Sequence, residues 1–212
     1  MRVTIVYDNT TRDPSLTADW GFACLVERES GPTILFDTGA DGEILLANMA
    51  ALGIEPETVD AVFISHAHGD HVGGLDAFLA ENDQVTLYHP PSFVPPPDSV
   101  ETVAVERATE LHPGIYSTGE LDGIEQALIV ATARGLVLVV GCSHPPMAQL
   151  LGAAAQFGEL YGIVGGLHGT RPLALAGLEF ICATHCTQQQ AAIREQYPDQ
   201  FEAGGVGTVL EI

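Results

Sequence analysis

Four potential metal ligands crowd into six positions at His66-Ala67-His68-Gly69-Asp70-His71. Imidazole and carboxylate are donors suited to zinc, iron or manganese. Alternate residues can point the same way, so His66 and His68 can share one ion while Asp70 and His71 turn toward a second. Gly69, Gly73 and Gly74 permit the tight backbone that this needs. One or two divalent transition-metal ions are expected, with zinc the first candidate and iron or manganese the others. A divalent cation lowers the pKa of water from about 15.7 to about 7, which provides a nucleophile at neutral pH.

Two ions need more donors than residues 66–71 supply. His144 and His185 each follow an apolar run, and both are expected as further ligands. His168 lies in Gly165-Gly166-Leu167-His168-Gly169, where it could serve as a ligand, a general acid or a substrate contact. Cys142 ends an apolar run two residues before His144 and is a possible ligand. Asp70 is expected to orient the nucleophile as well as bind metal. Asp37 is a candidate partner that would hold a histidine in one tautomer. Arg171 is the candidate receiver of a phosphate or carboxylate, because a guanidinium fork matches those groups. Cys182 and Cys186 flank His185, but C-x₃-C without a second pair is a weak zinc signal. His89 and His112 precede prolines and read as surface residues.

The elements that must position these residues are short. Strand patterns run over 3–7, 20–26, 33–36, 61–64, 85–88, 126–132, 136–140, 160–164, 178–183 and 206–212. Helical spacing runs over 44–52, stopping at Gly53, and over 72–79, 147–157 and 188–195. Residues 90–97 hold five prolines and predict an exposed, semi-rigid loop. The chemically loaded segments all follow strands, where α/β folds build sites. Strands followed by strand–helix alternation, twice over with no linker, predict one domain over 1–212, with two packed sheets and helices outside.

Composition narrows the function. Apolar residues reach 46% of the 212, which excludes a disordered chain. The 28 acids face 7 bases, all arginine, for a net charge of −21. Such a surface repels nucleic acid and anionic membranes. The expected partner is a small-molecule substrate, with no nucleic acid and no membrane; the oligomeric state is not legible. Residues 1–7 lack a secretory apolar run, so a cytoplasmic protein with reduced thiols is expected.

At this point a resemblance is plain. His66 to His71 match the HxHxDH signature of the metallo-β-lactamase superfamily, with Asp37-Thr38-Gly39 as the strand end that usually precedes it. Gly141-Cys142-Ser143-His144, Gly165-Gly166-Leu167-His168 and Thr184-His185-Cys186-Thr187 look like the branch containing the archaeal dihydropterin–ribofuranosylaminobenzene phosphate synthases. The resemblance implies a four-layer αβ/βα sandwich, with His66, His68 and His144 on one metal and Asp70, His71 and His185 on the other. Cys142 stands where most of the superfamily has a bridging aspartate. A thiolate or a water could substitute there, or the second metal could bind weakly. The expected activity is hydrolysis of a small anionic phosphoester or related ester. Two alternatives are a transferase joining a dihydropterin methyl diphosphate to a ribofuranosylaminobenzene phosphate, and a non-catalytic or redox metal-binding protein.

Overall fold

The computed structural model describes residues 1–96 and 100–212. Its strands are β1 (Arg2–Tyr7), β2 (Ala23–Glu27), β3 (Ile34–Phe36), β4 (Ala61–Phe63), β5 (Thr86–His89), β6 (Glu101–Ala104), β7 (Thr109–His112), β8 (Ile115–Ser117), β9 (Leu128–Thr132), β10 (Gly135–Val140), β11 (Leu160–Gly166), β12 (Phe180–Thr184) and β13 (Val209–Glu211). The α-helices are α1 (Gly42–Ala51), α2 (Gly69–Val72), α3 (Leu75–Glu81), α4 (Met147–Ala154) and α5 (Gln190–Gln196). Among the described residues the strands form two sheets, ordered β13-β1-β2-β3-β4-β5-β6 and β12-β11-β10-β9-β8-β7.

Three apolar clusters make this four layers. Val3, Ile5, Phe36 and Phe63 of the first sheet meet Leu128, Val130, Val137 and Val139 of the second in the middle. Val6, Leu35 and Val62 point the other way, against Leu45 and Met49 of α1 and Phe78 of α3. Leu136, Leu138 and Val140 pack outward on Leu150 of α4 and Ile193 of α5. Successive residues of β10 thus serve two cores, as the period of two dictates. Sheets covered on both faces explain why these strands read as unbroken apolar runs.

Asp41 caps α1 by accepting from the amides of Glu43 at 2.8 Å and Ile44 at 3.1 Å. Gly53, at φ +70°, ends it as the sequence predicts. The helix expected over 72–79 is instead two pieces, α2 and α3, broken at Gly73-Gly74. A Cβ at Gly74 would stand 2.3 Å from the Thr38 carbonyl, so this turn presses backbone on backbone. The strand expected from residue 20 begins only at Ala23, and Trp20 lies outside it, largely exposed. The closing strand shrinks to β13.

Strands β6, β7 and β8 were not expected. His89 and His112 are corrected with them. His89 ends β5 and is buried, its ring 5.8 Å from Phe93. His112 is half-buried on β7, its Nε2 3.0 Å from the Tyr88 hydroxyl. In the proline-rich loop Phe93 is buried and Val94 exposed; Pro97 lies outside the described residues. No described helix is long and apolar enough to cross a membrane.

Candidate metal centre

Strands β10, β11 and β12 run parallel, as do β3 and β4, so in each sheet their C-terminal ends share an edge. Asp37 follows β3, residues 65–71 follow β4, and Cys142–His144, His168 and His185 follow β10, β11 and β12. The sequence-predicted ligands therefore converge from loops on two sheets.

His66 Nε2 lies 3.1 Å from His68 Nδ1 and 3.2 Å from His144 Nε2. Four ligands at zinc–nitrogen distances of about 2.0–2.1 Å would stand about 3.3 Å apart at the corners of a tetrahedron. Beside this triad, Asp70 Oδ2 stands 3.8 Å from His71 Nε2 and 3.5 Å from His185 Nε2. The buried His185 Nε2 has no hydrogen-bond partner among the described residues. An orphaned buried nitrogen is costly, and a cation is what would satisfy it. Cys142 Sγ is 3.2 Å from His71 Nε2, and it shares a 4.8 Å cluster with nitrogens of His66 and His71, one from each triad. The donor set fits one or two divalent ions, with Cys142 between them.

Three of the inward nitrogens, those of His66, His71 and His185, are set by what the ring holds on its other side. The buried Asp37 carboxylate accepts from Ser65 N and Oγ, each at 2.7 Å, and lies 2.8 Å from His71 Nδ1. With Nδ1–H donating there, His71 Nε2 keeps its lone pair for a metal. Ser65 Oγ is also 2.9 Å from His66 Nδ1. Asn9 Oδ1 stands 3.0 Å from His185 Nδ1, and Asn9 Nδ2 donates to the His185 carbonyl at 3.0 Å.

Glu125, whose role the sequence did not reveal, organises the opposite side. Its buried carboxylate accepts from the amides of Cys142 at 2.9 Å, Ser143 at 3.1 Å and His144 at 2.7 Å. Asp8 does similar work beneath His185, bonded to the Thr184 hydroxyl and to nearby backbone amides. Trp20 was missed as well; its indole donates to Asp70 Oδ2 at 2.8 Å, and its ring lies 5.2 Å from His185. These partners are joined across the fold, and neighbouring residue types do not announce them.

Burial sets the protonation. It drives His66 far down, helped by the surrounding imidazoles, and takes His144 to about 4 and His185 to about 3. His71 goes the other way: burial pulls it down, but the charge and hydrogen bond of Asp37 outweigh that. Burial raises Glu125 against its three amide bonds. Depressed imidazoles are neutral at pH 7 and ready to coordinate.

Asp37, Ser143, His168 and His185 hold left-handed backbone at φ +55°, +57°, +41° and +50°. Strained non-glycine residues of this kind cluster at functional sites. His168 is half-buried, its ring 4.7 Å from His144, and takes no part in either triad. Arg171 is exposed and also outside the triads. It lines a cavity of about 600 Å³ together with His144, His168, Met147 and Gln188. A larger cavity of about 730 Å³, lined by Thr10, Arg12, Arg194 and Phe201, touches none of the donors; the chemistry directs attention to the smaller one.

Comparison with known proteins identifies the family and the fold. The pattern of the metallo-beta-lactamase superfamily matches residues 20–149. A 7,8-dihydropterin-6-methyl-4-(beta-D-ribofuranosyl)-aminobenzene-5'-phosphate synthase of Methanocaldococcus jannaschii is 25% identical, covering 98% of this chain and 95% of its own. That alignment runs over 279 positions against 212 residues in this chain, so the archaeal synthase carries segments with no counterpart in it. Among solved structures, Tm1679, a metal-dependent hydrolase of the beta-lactamase superfamily, superposes with a TM-score of 0.80 at 24% identity, covering 100% of this chain and 99% of its own. A diphosphatase from the PhnP family superposes with a TM-score of 0.67 at 18% identity, over 100% of this chain and 97% of its own. These structures agree with the αβ/βα sandwich along the whole chain. With the family pattern covering more than half of its residues, the protein belongs to the metallo-beta-lactamase superfamily.

Proposed function

We propose that the protein is a metal-dependent hydrolase of a small anionic substrate, a phosphoester or a related ester. The observation that carries this is the cavity of about 600 Å³ that opens against His144, with His168 and Arg171 in its wall. The Arg171 guanidinium has no ion pair or hydrogen bond among the described residues, in a chain of 28 acids and 7 bases. A free cation beside donors suited to a metal is a place for one phosphate or carboxylate.

His66, His68 and His144 would hold one ion and Asp70, His71 and His185 the other, with Cys142 in reach of both. When bound, such ions supply Lewis acidity, which activates water near neutral pH and polarises the attacked group. Zinc suits the imidazole-rich set best. The chain's own residues do the rest. Arg171 binds and orients the anion. His168 faces the same cavity and donates a proton to the leaving oxygen. Asp70 orients the nucleophile, and Trp20 fixes Asp70. We place the protein in the cytoplasm as one domain, with its four cysteines reduced; all are free thiols in the fold.

The test combines elemental analysis with turnover of small phosphodiesters and phosphomonoesters. His68→Ala should lose metal and activity together. Arg171→Ala should raise KM about tenfold or more, as loss of a charged contact worth about 1.5–3 kcal/mol requires, with metal content intact. Unchanged kinetics in Arg171→Ala would make it an ordinary surface residue. The second reading, transfer of a dihydropterin methyl diphosphate, is favoured by the near full-length similarity to the archaeal synthase. It prevails if the protein joins dihydropterin and ribofuranosylaminobenzene phosphate and cleaves no ester. Nucleic acid is not the proposed partner, given the charge of −21.

A further inference from the structure

We propose that Cys142, Cys186 and His168 form a third, thiolate-rich subsite that takes a soft divalent cation beside the two histidine-based positions. The two sulfurs and one ring nitrogen all lie within 4.8 Å of one another. A tetrahedral ion with sulfur at about 2.3 Å and nitrogen at about 2.0–2.1 Å needs ligands about 3.5–3.8 Å apart, so a small closure completes the set. The three residues sit at the ends of β10, β11 and β12, adjacent parallel strands of one sheet. Rigid elements of this kind preorganise a site.

Two details favour a ligand there over incidental crowding. Cys186 is buried and belongs to neither histidine triad; its sulfur faces the other two members of the set, bonding weakly to the Cys142 thiol, to the Cys142 carbonyl at 3.8 Å and to the His168 backbone. Its sulfur fits only because residue 166 is glycine: a Cβ there would lie 2.7 Å from Cys186 Sγ. His168 holds left-handed backbone at φ +41°, a conformation costly for a residue with a side chain. Two thiolates and one neutral imidazole balance a divalent charge, and sulfur donors select zinc or cadmium over magnesium or calcium. A ligating His168 would keep an N–H on its other nitrogen, able to donate a hydrogen bond but no longer a proton. Filling the subsite should therefore slow hydrolysis; that consequence alone rests on the function proposed above.

The test counts metal without any substrate. The full chain is loaded with Zn²⁺ or Co²⁺ under reducing conditions and dialysed. Zinc equivalents are then measured, along with the near-ultraviolet thiolate-to-cobalt absorption. Cys186→Ser should lose one equivalent per chain and at least half of that absorption. His168→Ala, a half-buried loop change, should lose the same equivalent, and it carries the test if Cys186→Ser does not fold. His68→Ala should lose histidine-bound metal and retain the thiolate band, while Cys182→Ser, a change in the central core, should leave both readings intact. Folded Cys186→Ser or His168→Ala with wild-type stoichiometry and an undiminished band would overturn the proposal. Loss of turnover with the metal count as expected would instead strike only the hydrolase reading.

Discussion

Asp37 carries more of the centre than its absence from both donor triads suggests. One buried carboxylate sets Ser65 and His71 directly, and His66 through Ser65. Asp37→Asn should lower metal affinity by about 10–100-fold, the usual cost of losing an outer partner, as read by competition with a chromogenic chelator. Wild-type affinity in that variant would show that packing alone orients His71. The histidines also predict how the metal-free protein responds to pH. In the unfolded chain they protonate near about 6.5, but in the fold His144 waits until about 4 and His185 until about 3, with His66 lower still. The native state binds fewer protons, so stability is full above about 6.5 and falls as pH drops from about 6.5 toward about 4. His71, raised by Asp37, opposes this but is one against three. Urea midpoints of chelated protein at pH 7 and pH 4.5 should differ, with the acidic one lower; equal midpoints would contradict the assignment. The convergence of the six candidate donors was legible: type and spacing mark residues 66–71, and a place just after an apolar run marks His144 and His185. Glu125 was not, since its partners are amides 17–19 positions away that only the fold delivers.

At the level of elements, the apolar strands and the Gly53 end of α1 were legible, because burial on both faces and a C-terminal glycine leave direct marks in sequence; the start of that helix at Gly42, capped by Asp41, was not. Strands β6 and β7 left no such mark. Glu101, Thr102 and Ala104 are exposed, as are Thr109 and Glu110, and β6 and β7 each lie at a sheet edge. Edge strands lean on backbone pairing more than on an apolar face. The same gap hid the burial of His89 and the Tyr88 contact of His112. Two substitutions separate structural support from support of the centre. Asp41→Ala removes a helix cap and should cost about 1 kcal/mol in chemical unfolding while leaving metal content untouched. Gly166→Ala would place a Cβ 2.3 Å from the Gly141 carbonyl and 2.7 Å from Cys186 Sγ. It should cost about 1–3 kcal/mol and reduce bound metal as well, since the loops after β10 and β12 must separate. Full metal occupancy in Gly166→Ala would show that these loops yield without moving the ligands.

Across the whole molecule, charge and cross-linking dominate. A field of −21 repels an anionic substrate before the local cations can receive it. Raising ionic strength from about 0.01 to about 0.15 M shortens the screening length from about 30 to about 8 Å. For the proposed anionic substrate, kcat/KM should therefore rise with added salt; a decrease would mean that Arg171 and the centre, and not the net charge, govern capture. Each triad draws donors from both sheets: His66 and His68 with His144, and Asp70 and His71 with His185. An ion in either place is thus a rivet through two halves that otherwise meet through apolar packing. Metal at about a hundred times its dissociation constant would add about 2.7 kcal/mol to the folded state. Wherever proteases harvest whatever opens, that margin makes the protein's lifetime a gauge of the metal supply. Starvation for the ion should thin the population by degradation as well as silence it.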